Sequence, residues 1–122
     1  MDSVYELYKR GCDLLAHRDY HAAIMPLTRA REIEPGKASI REALGRALFG
    51  AQRYEHAAAE FQALASATPT DDYALFCLGR SMQLLGRHRE ACHPLALACS
   101  LRPDREDYRR YRDRALSDAE RE

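Results

Sequence analysis

Apolar residues recur along this chain at helical spacing, and the arrangement of large and small ones repeats every 34 positions. Large side chains fall at Leu14, Leu48 and Met82 and again at Leu27, Phe61 and Leu95. Small ones fall at Gly11, Gly45 and Gly79 and at Ala23, Ala57 and Ala91. Tyr20 and Tyr54 share a further position, which His88 takes in the third unit. A fixed period of this length marks a helical solenoid, in which each unit buries its apolar face only by stacking on the next. Glycine inside a helix costs up to ~1 kcal/mol relative to alanine, so its recurrence predicts that a neighbouring helix approaches closely there. Pro35, Pro69 and Pro103 complete the period. Each ends the second helix of its unit, because proline lacks the amide that continues the ladder and pushes the preceding residue out of the α region.

The pattern predicts seven helices in one domain, 1–122, with repeats at 4–37, 38–71 and 72–105. The first pair covers Val4 to Ala16, opened by a Ser3 and Glu6 capping box, and Tyr20 to Ile33. The second covers Ala38 to Phe49 and Tyr54 to Ala67. The third covers Asp72 to Leu85 and His88 to Leu101, entered through Thr70. Asp104 is then placed to cap a seventh helix, 104–119, whose thin apolar stripe of Tyr108, Tyr111 and Leu116 suits a helix that covers the end of the stack. Pro26 and Pro94, equivalent positions of the first and third repeats, lie inside second helices and predict a local bend on the convex face.

These residues resemble the tetratricopeptide repeat family over residues 4 to 103. Its helix-turn-helix units carry a small residue, an aromatic, an alanine and a closing proline at these offsets. The departures are Leu7, Arg41 and Leu75 where tryptophan is frequent, Leu64 for alanine and His88 for tyrosine. The resemblance implies an all-α fold, a right-handed α-α superhelix of three repeats and a capping helix, acting as a scaffold for protein association. It also implies that partners lie on the concave face formed by the first helix of each pair. That face holds Tyr5, Tyr8, Lys9 and Cys12, then Ser39, Glu42, Ala43, Arg46 and Phe49, then Tyr73, Phe76, Cys77, Arg80 and Gln83, with Arg110 and Arg114 closing the end. Aromatic rings supply contact area at low entropic cost and guanidinium groups clamp carboxylates at two points, so the groove suits an apolar or aromatic peptide with acidic groups. The alternative for Tyr5, Tyr8 and Phe49 is packing between adjacent helices. Family members that hold the acidic carboxyl termini of heat-shock chaperones use lysine, asparagine and arginine at positions that here are Tyr8, Cys12, Ala43, Tyr73 and Cys77. None of the five is retained, so that clamp is missing and a different peptide is expected.

Composition removes other classes. Net charge is zero, and arginine outnumbers lysine 17 to 2. From Arg102 to Glu122, however, seven arginines meet seven acidic residues, which reads as a helix laced with ion pairs and not as a nucleic-acid face. The arginine bias and abundant alanine suggest a GC-rich, bacterial genome. No apolar run approaches the ~20 residues of a membrane span, and the start has neither the basic flank nor the apolar stretch of a signal peptide, which makes the cytoplasm the expected compartment. Cys92 and Cys99 are two helical turns, about 10 Å, apart, beyond the ~7 Å reach of a disulfide; with Cys12 and Cys77 they read as free thiols. His88 and Cys92 alone do not make a metal site, and no phosphate loop, nucleophile elbow or carboxylate pair is present. Asp71 and Asp72 sit at a helix start, and His17 and His21 flank a turn, solvated. The chain is expected to need no cofactor and to be no enzyme; besides a partner in the groove, self-association through the ends or capping helix is the alternative.

Overall fold

A computed structural model describes residues 2–122, all helix and turn. The helices are α1 (Val4–Ala16), α2 (Tyr20–Ile33), α3 (Ala38–Gly50), α4 (Tyr54–Ala67), α5 (Asp72–Leu84), α6 (His88–Leu101) and α7 (Glu106–Ala119). They fall within two residues of the boundaries read from the sequence. The chain divides into two compact units, one up to Glu60 and the other Phe61–Glu122, with the division inside α4.

In the first unit α1 packs on α2, and α3 packs on both. Gly11 is where α1 meets Leu27 of α2: a Cβ there would lie 2.4 Å from Leu27 Cγ. Leu7, Ala30 and Ile40 form a small core against which Val4 and Tyr8 rest. The second unit repeats the contact, with a Cβ on Gly79 falling 2.4 Å from Leu95 Cγ. Leucine thus fills the space each glycine leaves, which is why the small position recurs. Ala23, Ala57 and Ala91 are fully buried, and Pro35, Pro69 and Pro103 stand exposed just beyond α2, α4 and α6.

The turn inside each pair is one motif used three times. Arg18, Gln52 and Gly86 hold φ of 60°, 64° and 79°, again 34 residues apart. The next amide in each case, of Asp19, Arg53 and Arg87, donates to the carbonyl of Leu14, Leu48 and Met82 at 2.8, 2.8 and 2.9 Å. This six-to-one bond closes the helix end around a left-handed residue. Only the third copy marks it with glycine.

Some helix starts depart from the sequence reading. Ser3 does cap α1, its Oγ accepting from the Glu6 amide and donating to the Glu6 carboxylate at 3.0 Å. The cap of α5 is Asp71, not Thr70, with Oδ1 accepting from the Ala74 amide at 3.0 Å. Asp104 does not cap α7: Arg105 is its first flanking residue, and Asp104 is held by the Arg102 guanidinium two residues back. Asp107 accepts from the Tyr108 amide instead. At α6 the flanking Arg87 offers no side-chain cap, and the Glu122 carboxylate supplies it, accepting from the His88 and Arg89 amides at 2.6 and 3.0 Å.

Pro26 and Pro94 are each the seventh residue of their helix, and both side chains are buried rather than on an outer surface. They leave the carbonyls of Ala22 and Glu90 without an intrahelical donor, and both those residues are exposed, so water can take the bond. Glu60 stands at the same repeat position and is itself only 5% exposed. Its carboxylate accepts from Arg31 and, at 3.1 Å, from Arg41, the residue that replaces leucine of the other two repeats.

The seventh helix docks on α5 and α6 through Tyr108, Ala115 and Ala119, with Tyr111 half-buried. Leu116 is not part of that stripe, being 51% exposed. Tyr108 takes the deepest place, stacked on Phe76 with ring centres 4.5 Å apart and its hydroxyl donating to Asp72 Oδ2 at 2.7 Å.

Candidate functional site

The residues proposed for a binding face divide, on their surroundings, into exposed groups and packing groups. On α1, Tyr5 is 69% exposed and Lys9 is exposed one turn on, because their neighbours Leu7 and Gly11 face α2 and α3. Tyr8 is half-buried against the Leu7, Ala30 and Ile40 core. Its phenol is held above the usual range, first by its hydrogen bond with the Cys12 thiol and then by burial, while Ser39 acts in the opposite sense and the Glu42 charge adds to the rise. Tyr8, Cys12, Ser39 and Glu42 therefore lie together between α1 and α3. Arg46 is exposed on α3, and Ala43 beside it is buried. Phe49 packs edge-on against Tyr54 at 5.3 Å across the turn into α4.

In the second unit the aromatic and polar groups of α5 are turned toward α7. Tyr73 meets Phe61 edge-on at 6.5 Å. Phe76 does not face solvent; it stacks on Tyr108 and meets Tyr111 edge-on at 5.7 Å. Gln83 is likewise withdrawn, 7% exposed, with Nε2 donating to the Tyr111 carbonyl at 2.9 Å. Cys77 is half-buried and its carbonyl accepts from Ser81 Oγ. Arg80 lies over the Tyr111 ring, its guanidinium carbon 3.9 Å from the ring centre. Two α7 arginines share that ring, Arg114 at 5.0 Å and Arg110 at 5.6 Å. Sequence reasoning had Arg80, Arg110 and Arg114 but missed Tyr111 as their centre, since it read the tyrosine only as part of an apolar stripe. The six-residue gap between Arg105 and Tyr111 on a 3.6-residue turn was the available signal: it puts Tyr111 beside Tyr108 and not beneath it.

The four cysteines are free, and burial pushes the Cys99 thiol up. Among the described residues no group of histidine, cysteine and acidic side chains could hold a metal ion, and no helix is long and apolar enough to cross a membrane.

The tetratricopeptide repeat profile matches residues 14–76, just over half of the chain. The chain belongs to the tetratricopeptide repeat family. It is an all-α member, three helix pairs followed by a seventh helix. Solved structures agree on the fold. MamA of strain AMB-1 is 23% identical with a TM-score of 0.87, over 98% of this chain and 70% of that one. MamA 41-end from Desulfovibrio magneticus RS-1 is 19% identical with a TM-score of 0.83, over 98% and 73%. The first tetratricopeptide domain of Spaghetti (RPAP3), bound to the HSP90 peptide SRMEEVD, is 15% identical with a TM-score of 0.85, over 93% of this chain and 90% of that one. No curated protein sequence matches the chain. Within the family frame, Arg41 is an unusual tenant of the tryptophan position, and its pairing with buried Glu60 shows how the charge is accommodated.

Proposed function

We propose that the chain is a non-catalytic tetratricopeptide module that holds a peptide or protein partner on the exposed faces of the first helices of its pairs. The observation that carries this reading is the set Tyr5, Lys9 and Arg46, an aromatic and two cations left exposed on α1 and α3 while the residues between them are consumed by the core. Large rings and guanidinium groups free of packing duty are the side chains that anchor partners. The RPAP3 domain holds an HSP90 peptide on the same fold. Here Tyr8, Cys12, Ala43, Tyr73 and Cys77 stand where chaperone-binding members carry their clamp, so the partner has other chemistry. The reading treats repeats 4–37, 38–71 and 72–105 and the helix after them as one module without a cofactor. It puts that module in the bacterial cytoplasm, in keeping with four free thiols and an arginine-rich composition.

The test is affinity capture from native lysate with the wild-type chain beside a Tyr5→Ala, Arg46→Ala variant of equal helicity, followed by direct titration of the captured protein. Loss of affinity in the variant is expected. Equal affinity for both would move the site off α1 and α3. Self-association is a second reading, favoured by Leu116, whose exposed side chain on α7 serves no packing inside the second unit. It expects a sedimentation coefficient that rises with concentration and that Leu116→Glu holds at the monomer value.

A further inference from the structure

Three guanidinium groups around one phenol ring are an electrostatic liability unless an anion joins them. Arg80, Arg110 and Arg114 surround Tyr111 at 3.9, 5.6 and 5.0 Å. The ring face attracts each cation, yet the cations repel one another across it. Elsewhere on the same helix arginines are neutralised locally, Arg105 by Asp107 and Arg112 by Asp113. Arg110 and Arg114 are exposed and have no carboxylate partner among the described residues.

The cluster is also held in place. Arg80 Nη1 donates to Gln83 Oε1 at 2.9 Å, and Gln83 Nε2 donates to the backbone carbonyl of Tyr111 at 2.9 Å. A buried glutamine thus ties the α5 guanidinium to the α7 ring. Burying a polar amide is costly unless both of its ends are bonded, and here both are, so the tie fixes geometry before any ligand arrives.

We propose that the Tyr111 cup is a subsite for the side-chain carboxylates of an acidic peptide segment, with Arg110 and Arg114 as its donors and Arg80 as its fixed wall. This deepens the peptide-binding reading and rests on it for the class of partner, though its residues lie wholly in the second unit. Guanidinium forks bind carboxylates at two points, and an anion between them relieves the mutual repulsion. A nucleic-acid backbone fits less well: acidic Asp107 and Asp113 flank the cup on α7, and net charge is zero, so there is no extended cationic track for successive phosphates.

The experiment is a nuclear magnetic resonance titration of the full chain with an acetylated, amidated peptide of three consecutive glutamates flanked by glycines. Saturable shifts are expected at the Tyr111 amide and at the side-chain Nε–Hε groups of Arg80, Arg110 and Arg114. Arg110→Ala with Arg114→Ala should weaken binding by about tenfold or more, the loss of charge-assisted bonds. Arg29→Ala with Arg53→Ala, which removes the same charge from exposed sites in the first unit, should leave it unchanged. The proposal is overturned by no saturable shift, by equal shifts from the matching glutamine peptide, by equal weakening in both double variants, or by tighter binding of an RNA oligonucleotide. If the cup fails while Tyr5→Ala, Arg46→Ala still loses a captured partner, the carboxylate subsite falls and the α1–α3 face stands.

Discussion

Glu60 shows what a single residue can do to a repeat. In the first and third repeats its position is proline, and the position of its partner Arg41 is leucine, so two repeats solve the same packing problem without charge. The second solves it with one buried carboxylate between two arginines that remain about one-quarter to one-third exposed. Removing the anion leaves two half-buried cations facing each other. A buried pair broken on one side typically loses ~3–5 kcal/mol; with both arginines able to reach water, Glu60→Ala should lose about 2–3 kcal/mol. Restoring the chain's own apolar solution with Arg41→Leu and Glu60→Pro together should recover to within about 1 kcal/mol of wild type, because the desolvation cost disappears with the charges. Urea unfolding followed by circular dichroism decides it, and a double variant as weak as Glu60→Ala would show that the charges contribute more than they cost. This trio was invisible in the sequence because Arg31, Arg41 and Glu60 are 10 and 19 residues apart and share no helix. The left-handed turns were hidden for a similar reason: Arg18 and Gln52 take a conformation that only Gly86 advertises.

At the scale of the element, helix existence was legible and helix capping was not. Boundaries followed from periodic apolar residues and from prolines that no helix can pass, both of which are local properties. The cap of α6 comes from Glu122, more than 30 residues away, and Asp104 turned to Arg102 because a guanidinium two residues off outcompetes a free amide. The docking of α7 was half legible: its apolar stripe was found, but the stripe runs through Tyr108, Ala115 and Ala119 and leaves Leu116 outside. Tyr108 gives that docking a pH signature. Burial first, and then the bond to Asp72, hold its phenol well above the usual tyrosine range. A group raised on folding stabilises the native state below its unfolded pKa of ~10 and loses that contribution as pH climbs further, since the unfolded chain ionises and the folded one does not. Stability of the wild type should therefore fall between about pH 9.5 and 11 more steeply than that of Tyr108→Phe, although the variant starts about 1 kcal/mol lower at neutral pH from the lost hydrogen bond. Unfolding midpoints across that range measure both, and parallel curves would exclude Tyr108 as the source.

For the molecule as a whole, the division into two compact units raises the question of whether they unfold separately. The division falls after Glu60, inside α4, which runs unbroken from Tyr54 to Ala67. Cutting there leaves a first piece with seven residues of α4 and a second piece with the other seven, each well under the ~12–15 residues at which an isolated helix becomes even marginal in water. Tandem repeats obtain their stability from neighbour contacts, and about three are needed before the sum exceeds the conformational entropy of the chain. One shared helix therefore makes each half dependent on the other for its own last or first turn. The expected behaviour is a single cooperative transition for 1–122, with Glu60→Ala in the first unit and Gly79→Ala in the second shifting the same midpoint. Gly79→Ala should cost about 1–3 kcal/mol, since its new methyl must displace Leu95 in a filled core. Fragments 1–60 and 61–122 made separately should each show weak helical circular dichroism and poorly dispersed amide resonances. Hydrogen exchange distinguishes the cases residue by residue: equal slowest rates in α1–α3 and α5–α7 mean one folding unit, whereas two plateaus, each lowered by only its own substitution, would mean that α4 joins two independently stable halves.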